Sequence, residues 1–197
     1  YSIEYIPMSF TVGEKNYPAS LDWEQIPAKQ FYDTIRGGTR IITSQVTSSQ
    51  FYDSFKSYLD KGKDVLYVSC SSALSGSFEA SLDAAEKLSG LYPDSDIICV
   101  DGLNSCYGLG MLCISASELR GAGKSIGEVA EWVRENRYYV NQECCVDKLT
   151  YLKMAGRVSA SSAFFGGLLN IKPILISDAK GQNVAVEKVK GKKNAVK

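Results

Sequence analysis

The sequence predicts an α/β protein: an N-terminal three-layer domain on a parallel sheet, followed by a second α/β domain present only in part. Three observations carry this. Asp64–Val68 and Asp96–Asp101 are short apolar runs, as in strands buried on both faces. Segments of helical spacing alternate with them, which means βαβ units. Past residue 148 the texture changes to short, small-residue segments and a hairpin pattern. The division is therefore placed at 1–147 and 148–197.

The elements are justified in chain order. Ile3–Phe10 alternates imperfectly and reads as extended, and Gly13-Glu14-Lys15-Asn16 has turn chemistry. Ile26–Ile35 reads as a helix, with Pro27 near its start and Gly37-Gly38 at its end. Arg40-Ile41-Ile42 is a short extended piece leading into a loop, Thr43-Ser44-Gln45. Ser48–Leu59 carries Phe51, Tyr52, Phe55, Tyr58 and Leu59 at helical spacing. After the Asp64–Val68 strand comes a serine-rich loop, then a helix through Ala80, Ala84, Ala85 and Leu88. After the Asp96–Asp101 strand, Leu109–Leu119 is an apolar helix closed by Gly121-Ala122-Gly123. Ser125 and Glu128 form a capping-box pattern for the next helix, and Tyr138–Val146 reads as extended. In the second part, Leu149–Met154 and Ser161–Leu169 read as helices. Ile174–Ser177 and Asn183–Val186 flank a polar turn and read as a hairpin. One hairpin and a helix cannot make a stable domain, so the sequence reads as part of a longer protein.

Composition limits the function classes. Lys+Arg and Asp+Glu both number 22, giving zero formal net charge, which argues against a nucleic-acid binder. No apolar run is long enough for a bilayer span, and the start lacks signal-peptide character, so a cytoplasmic protein is expected. The six cysteines lack C-x-x-C spacing; buried reduced thiols are expected, with neither metal site nor disulfide framework. The absence of histidine removes the commonest general base and the usual serine triad.

The chemistry-bearing segment is the loop Ser71-Ser72-Ala73-Leu74-Ser75-Gly76-Ser77, which leaves a buried strand and opens a helix. Ligands of parallel sheets bind at the carboxyl ends of strands. Helix N-termini offer unpaired amides and partial positive charge to anions. Four serine hydroxyls add donors there, and Gly76 permits close backbone approach. Thr43-Ser44-Gln45 repeats the arrangement ahead of the Ser48 helix. Helix capping explains one such loop; two loops, each with more hydroxyls than a cap uses, point to a shared anion. The residues leave open whether it is a phosphate, a sulfate or a carboxylate. There is no P-loop motif.

Five motifs in order resemble those of the DegV family: Thr43-Ser44-Gln45, Ser71–Ser77, Tyr151–Val158, Leu168–Leu175 and Lys188–Gly191. The resemblance implies a two-domain bacterial protein that binds a long-chain fatty acid. Some members present it to a fatty acid kinase subunit for phosphorylation. It implies that Thr43 and Ser72 hydrogen-bond the carboxylate, with Ser71, Ser44 and Gly76 close by. The acyl chain would run along Phe164, Phe165, Leu168, Leu169, Ile171 and Ile174, residues whose composition suits a core equally well. Lys190 stands where arginine is usual at the kinase-docking motif; it keeps the charge but not the planar fork. Arg157 reads as a helix-end arginine bonding carbonyls. The family has a further strand and an Asp-Ser/Thr loop ahead of this segment, and a histidine beyond it; that accounts for a histidine-free chain. No catalytic residue, metal or cofactor is expected other than the fatty acid as ligand. The alternative is a serine-dependent hydrolase or phosphoryl-transfer enzyme using the Ser71–Ser77 loop. It lacks an activating base beside either loop in sequence.

Overall fold

The structure, a computed structural model, describes residues 1–146, 151, 155–158 and 171–196. The chain begins with an antiparallel pair, β1 (Ser9–Val12) and β2 (Lys15–Pro18), turned at Gly13. Asn16, expected in the turn, already belongs to β2. Helix α1 (Ala28–Arg36) starts after Pro27 and ends at Gly37. Strand β3 (Ile41–Ser44) then pairs with β1, Thr43 opposite Phe10. Thr43 and Ser44 are therefore strand residues, not loop residues as expected, and their strand joins an antiparallel sheet in the order β2-β1-β3. Phe31 of α1 meets Phe10 edge-on at 5.2 Å, and Trp23 meets Phe31 at 5.4 Å, so an aromatic cluster covers this sheet.

The next elements make the predicted three layers. Helix α2 (Ser48–Leu59), strand β4 (Val65–Ser69), helix α3 (Ser77–Ser89), strand β5 (Ile97–Asp101), helix α4 (Cys106–Gly121) and helix α5 (Ile126–Asn136) follow in order. β4 and β5 pair in parallel, Val65 opposite Ile97 through Ser69 opposite Asp101. Side chains alternate across a strand, and both faces are used. Val65, Tyr67, Ile97 and Cys99 pack against Phe51, Phe55 and Leu59 of α2 and Ala84 and Leu88 of α3. Leu66, Val68 and Ile98, together with buried Val100, pack against Leu112 and Ala116 of α4 and Val129, Ala130 and Val133 of α5. That two-sided burial is why these strands read as continuous apolar runs. The capping box at Ser125 and Glu128 forms as expected. Three side-chain hydrogen bonds, from Lys124 and the Ser125 amide and hydroxyl, hold the Glu128 carboxyl down at about 2.

The segment after α5 departs from expectation. Only Glu143–Cys145 (β6) is a strand. It pairs antiparallel with β7 (Ile171–Ser177), which pairs with β8 (Asn183–Lys190), giving the order β6-β7-β8. The predicted hairpin is present, longer than read, with a register shift after Ile174. A single helical turn, Lys192–Ala195, follows. The helices read at 149–154 and 161–169 fall largely or wholly outside the described residues. No described helix is long and apolar enough to cross a membrane. Of the cysteines, Cys70, Cys99 and Cys113 are partly buried, and burial pushes their thiols up. Cys106, Cys144 and Cys145 are exposed, contrary to the expected burial, because they lie at the start of α4 and on the short outer strand β6.

Candidate functional site

The site lies where β4 and β5 end. Their exit loops are joined: Gly102 N donates to Ser69 O at 3.0 Å and Ser71 N to Asn104 O at 2.8 Å. Ser71 is fully buried. Its hydroxyl accepts from Ala73 N at 3.2 Å, and its carbonyl accepts from Leu74 N and Ser75 N at 3.0 and 3.1 Å. These bonds wind the loop into a tight turn, so Ser71 builds the loop from inside. Ser75 accepts from Ser77 N at 3.3 Å, supplying the cap that Gly76, the residue before α3, has no side chain to give.

Ser72 has a partner that sequence reasoning missed. Its hydroxyl donates to Asp101 Oδ2 at 2.5 Å, and its amide donates to Oδ1 at 3.2 Å. Leu103 N also donates to Oδ1, at 3.0 Å. Asp101 ends β5 and is only 9% exposed. Arg137 Nη1 donates to its main-chain oxygen at 2.7 Å. Asn104, buried beside it, donates to Gly102 O at 3.0 Å and Arg137 O at 2.9 Å. A carboxylate at the carboxyl end of a buried parallel strand was the available signal. The register that sets Asp101 against Ser69 cannot be read from one strand alone.

The second loop meets the first through Gln45. Gln45 Nε2 donates to Gly76 O at 3.2 Å. Capping of α2 is done by Thr47, which exchanges bonds with Gln50 in a capping box. The Thr43 and Ser44 hydroxyls are thus free of capping duty, and both residues are exposed, with no side-chain hydrogen bond to any described residue. Thr43 also lines an apolar cleft of about 210 Å³ with Met8, Phe10, Trp23, Ile26 and Phe31. The structure therefore brings Thr43-Ser44-Gln45 and Ser71–Ser77 together, with Gln45 as the point of contact.

Gly76 is held close to that contact. A Cβ there would lie 2.4 Å from Gln45 Oε1, the end of a flexible side chain. Gly76→Ala is expected to break the Gln45 bond, costing ~1 kcal/mol. It also restricts the unfolded chain, which offsets ~0.4–1 kcal/mol. Denaturant unfolding should therefore shift by less than about 1 kcal/mol, while the Gln45 side-chain amide resonance moves in NMR spectra. An unmoved resonance would contradict the contact.

The hairpin reaches the same loops. Gly181, at the β7–β8 turn with φ +73°, approaches so closely that a Cβ would lie 2.1 Å from Ser71 Oγ and 3.0 Å from Leu103 Cα. Ser177 Oγ donates to Leu103 O at 3.0 Å. Arg157 Nε donates to Leu74 O at 3.2 Å, so its carbonyl-bonding role includes the serine loop, and Asn183 in turn donates to Arg157 O at 3.1 Å. Of the expected acyl-chain residues, Phe164, Phe165, Leu168 and Leu169 lie outside the described residues. Ile171 and Ile174 are half-buried on β7, three positions apart, and so point to opposite faces. Lys190 ends β8 on the surface, opposite Ile171.

Comparison with known proteins places this geometry. A model of the DegV family, described as uncharacterised proteins, matches residues 1–197. A DegV domain-containing protein of Clostridium perfringens is 39% identical over 195 residues, covering 99% of this chain and 67% of its own length. A solved structure from Thermus thermophilus, described as showing fatty acid binding of a DegV family protein, superposes with a TM-score of 0.83 at 27% identity, covering 96% of this chain and 65% of that one. The fatty acid kinase B3 protein of Streptococcus pneumoniae, loaded with linoleic acid, superposes with a TM-score of 0.81 over 96% of this chain and 66% of its own; at 21% identity this speaks for the fold. The chain thus spans about two thirds of these relatives' length. With a family model covering residues 1–197 and a DegV relative 39% identical over 99% of the chain, the chain belongs to the DegV family.

Proposed function

We propose that this chain binds a long-chain fatty acid without catalysing a reaction on it. The carboxyl group sits at Thr43, Ser44 and Ser72, over the loop built by Ser71 and Gly76. The observation that carries this is the joining of two hydroxyl-rich segments, through Gln45 and Gly76, at the carboxyl ends of a parallel strand pair. A DegV relative described as binding a fatty acid supports a fatty acid as the ligand we place at that junction. The acyl chain runs into the 148–197 portion, along Phe164, Phe165, Leu168 and Leu169 and on one face of β7, where it meets either Ile171 or Ile174, which face opposite ways. A chain of about 14 methylenes buried at ~0.8 kcal/mol each gives roughly 11 kcal/mol of gross transfer energy. Much of it offsets association and ordering. The tail thus supplies most of the affinity and the hydroxyls orient the head. In the cytoplasm the bound acid would be presented to a kinase subunit docking near Lys190, as the resemblance of the Lys188–Gly191 motif implies. Mass spectrometry of denatured purified protein is expected to release a long-chain fatty acid in near-stoichiometric amount. Protein that folds, takes up no added fatty acid and releases none would end this reading.

One observation favours a second reading, a serine hydrolase: the Asp101 carboxylate against the Ser72 hydroxyl. A carboxylate alone, with no histidine between it and the hydroxyl, lacks the relay of the usual serine triad. Specific labelling of Ser72 by a fluorophosphonate probe would be required to support it.

A further inference from the structure

Asp101 changes what the head-group site can accept, and we infer that it couples the binding of a carboxylic acid to the uptake of one proton. The inference rests on the carboxyl group sitting at Ser72, as proposed above. A serine hydroxyl carries a single proton. Here that proton points at Asp101 Oδ2, 2.5 Å away. The carboxylate is fixed in place by the Ser72 and Leu103 amides on Oδ1. A ligand carboxylate arriving at Ser72 therefore meets oxygen lone pairs backed by a second, largely buried carboxylate.

Two carboxylates around one hydroxyl need a second proton, because like charges sharing a site cannot both stay ionised without cost. The proton has two places to go. On the ligand, it makes a neutral acid that donates to Ser72 Oγ while the serine proton stays with Asp101. On Asp101, it donates back to Ser72 Oγ and turns the serine proton toward the ligand carboxylate. Either way one proton comes from solvent, only an O–H bond forms, and the site keeps a single negative charge.

The surrounding groups do not supply that proton. Arg137 spends Nη1 on the Asp101 main-chain oxygen and Nη2 on the Tyr138 hydroxyl. Arg157 is bonded to the Leu74 and Ala155 carbonyls. Burial pushes the Cys70 thiol up, a hydrogen bond with Ser75 pulls it partly back, and the Asp101 carboxylate adds a smaller upward push. The amides at the start of α3 favour an anion but carry no exchangeable charge. If the proton sits on the ligand, a strong acid that stays ionised is disfavoured; if it sits on Asp101, strong and weak acids are accepted alike and both take up one proton.

Calorimetry separates the possibilities. Titrating purified protein with palmitic acid in buffers of different ionisation heat is expected to show uptake of about one proton near neutral pH, with affinity falling roughly tenfold per pH unit as pH rises. The α,α-difluoro analogue, of nearly the same shape but a much stronger acid, tells the two placements apart: binding at least about tenfold weaker puts the proton on the ligand, equal binding with uptake puts it on Asp101, and the methyl ester should take up no proton. Asp101→Asn should abolish the uptake, flatten the pH dependence and narrow any gap between the two acids. The wild-type comparison of acid, difluoro acid and ester stands without the variant if Asp101→Asn does not fold. Palmitic acid binding with no proton uptake overturns this inference and leaves the fatty-acid reading standing. Absence of binding by any of the three ligands overturns both.

Discussion

Gly181→Ala is expected to destabilise the protein by roughly 3–5 kcal/mol, which is a large part of a typical domain's margin. Two costs add. At φ +73° an L side chain occupies the left-handed region, at ~1–3 kcal/mol. The new Cβ would also stand 2.1 Å from Ser71 Oγ and 3.0 Å from Leu103 Cα, and neither neighbour can yield easily. Ser71 is fully buried and supports its own turn, and Leu103 is backbone. Such overpacking adds ~1–3 kcal/mol. The melting temperature should fall on the order of 10 °C for a chain of this size. The perturbation also bears on function, because the residues that must move are those shaping the Ser72 loop. Ser71→Gly in the Gly181→Ala background removes one of the two clashes and should recover part of the loss. If the second substitution only adds to the damage, hairpin and serine loop do not meet as described.

What the sequence made legible follows from which interactions are local. Helix α2 is found at its read boundaries because its aromatic spacing, its cap at Thr47 and its C-terminal turn all lie within one segment. The β4–β5 pair was legible because burial on both faces leaves an unbroken apolar run. Thr43 and Ser44 were read as loop because their strand status comes from pairing with β1, residues far away in sequence. β6 was read as a longer extended stretch for a related reason. Its three strand residues are defined by β7, and nothing local marks where pairing begins.

The candidate site divides in the same way. That hydroxyl-rich segments gather at strand ends was readable from order and residue type. That Gln45 makes the junction, that Gly181 abuts Ser71 and that Asp101 takes the Ser72 proton are consequences of register and loop packing. Asp101 is the instructive case. In sequence it is simply the polar end of an apolar run. In the fold, the parallel register carries it opposite Ser69, three residues before Ser72. The loop then turns back so that one carboxylate accepts from Ser72 twice and from Leu103 once.

Combining Thr43→Ala with Ser72→Ala is expected to weaken binding of a long-chain acid by roughly a hundredfold to ten-thousandfold. A hydrogen bond to a charged group contributes ~1.5–3 kcal/mol, and each 1.4 kcal/mol is about tenfold in affinity. The methyl ester, held by the same tail but offering only a neutral carbonyl, should lose about tenfold, since neutral bonds contribute ~0.5–1.5 kcal/mol each. The Thr43 hydroxyl makes no hydrogen bond to a described residue, so its loss should leave the fold unchanged. Removing the Ser72 hydroxyl takes the donor from Asp101 Oδ2, since the Ser72 and Leu103 amides are both on Oδ1, and should cost ~1–3 kcal/mol of stability. Competition against a fluorescent fatty acid, with thermal unfolding as the control for folding, measures both ligands on one scale. The single variants should not simply add, because an acid gripped at one oxygen reorients to use the remaining donor. Equal losses for acid and ester would move the head group away from Thr43 and Ser72. Loss confined to the acid would fix these hydroxyls as the groups that read its carboxyl end.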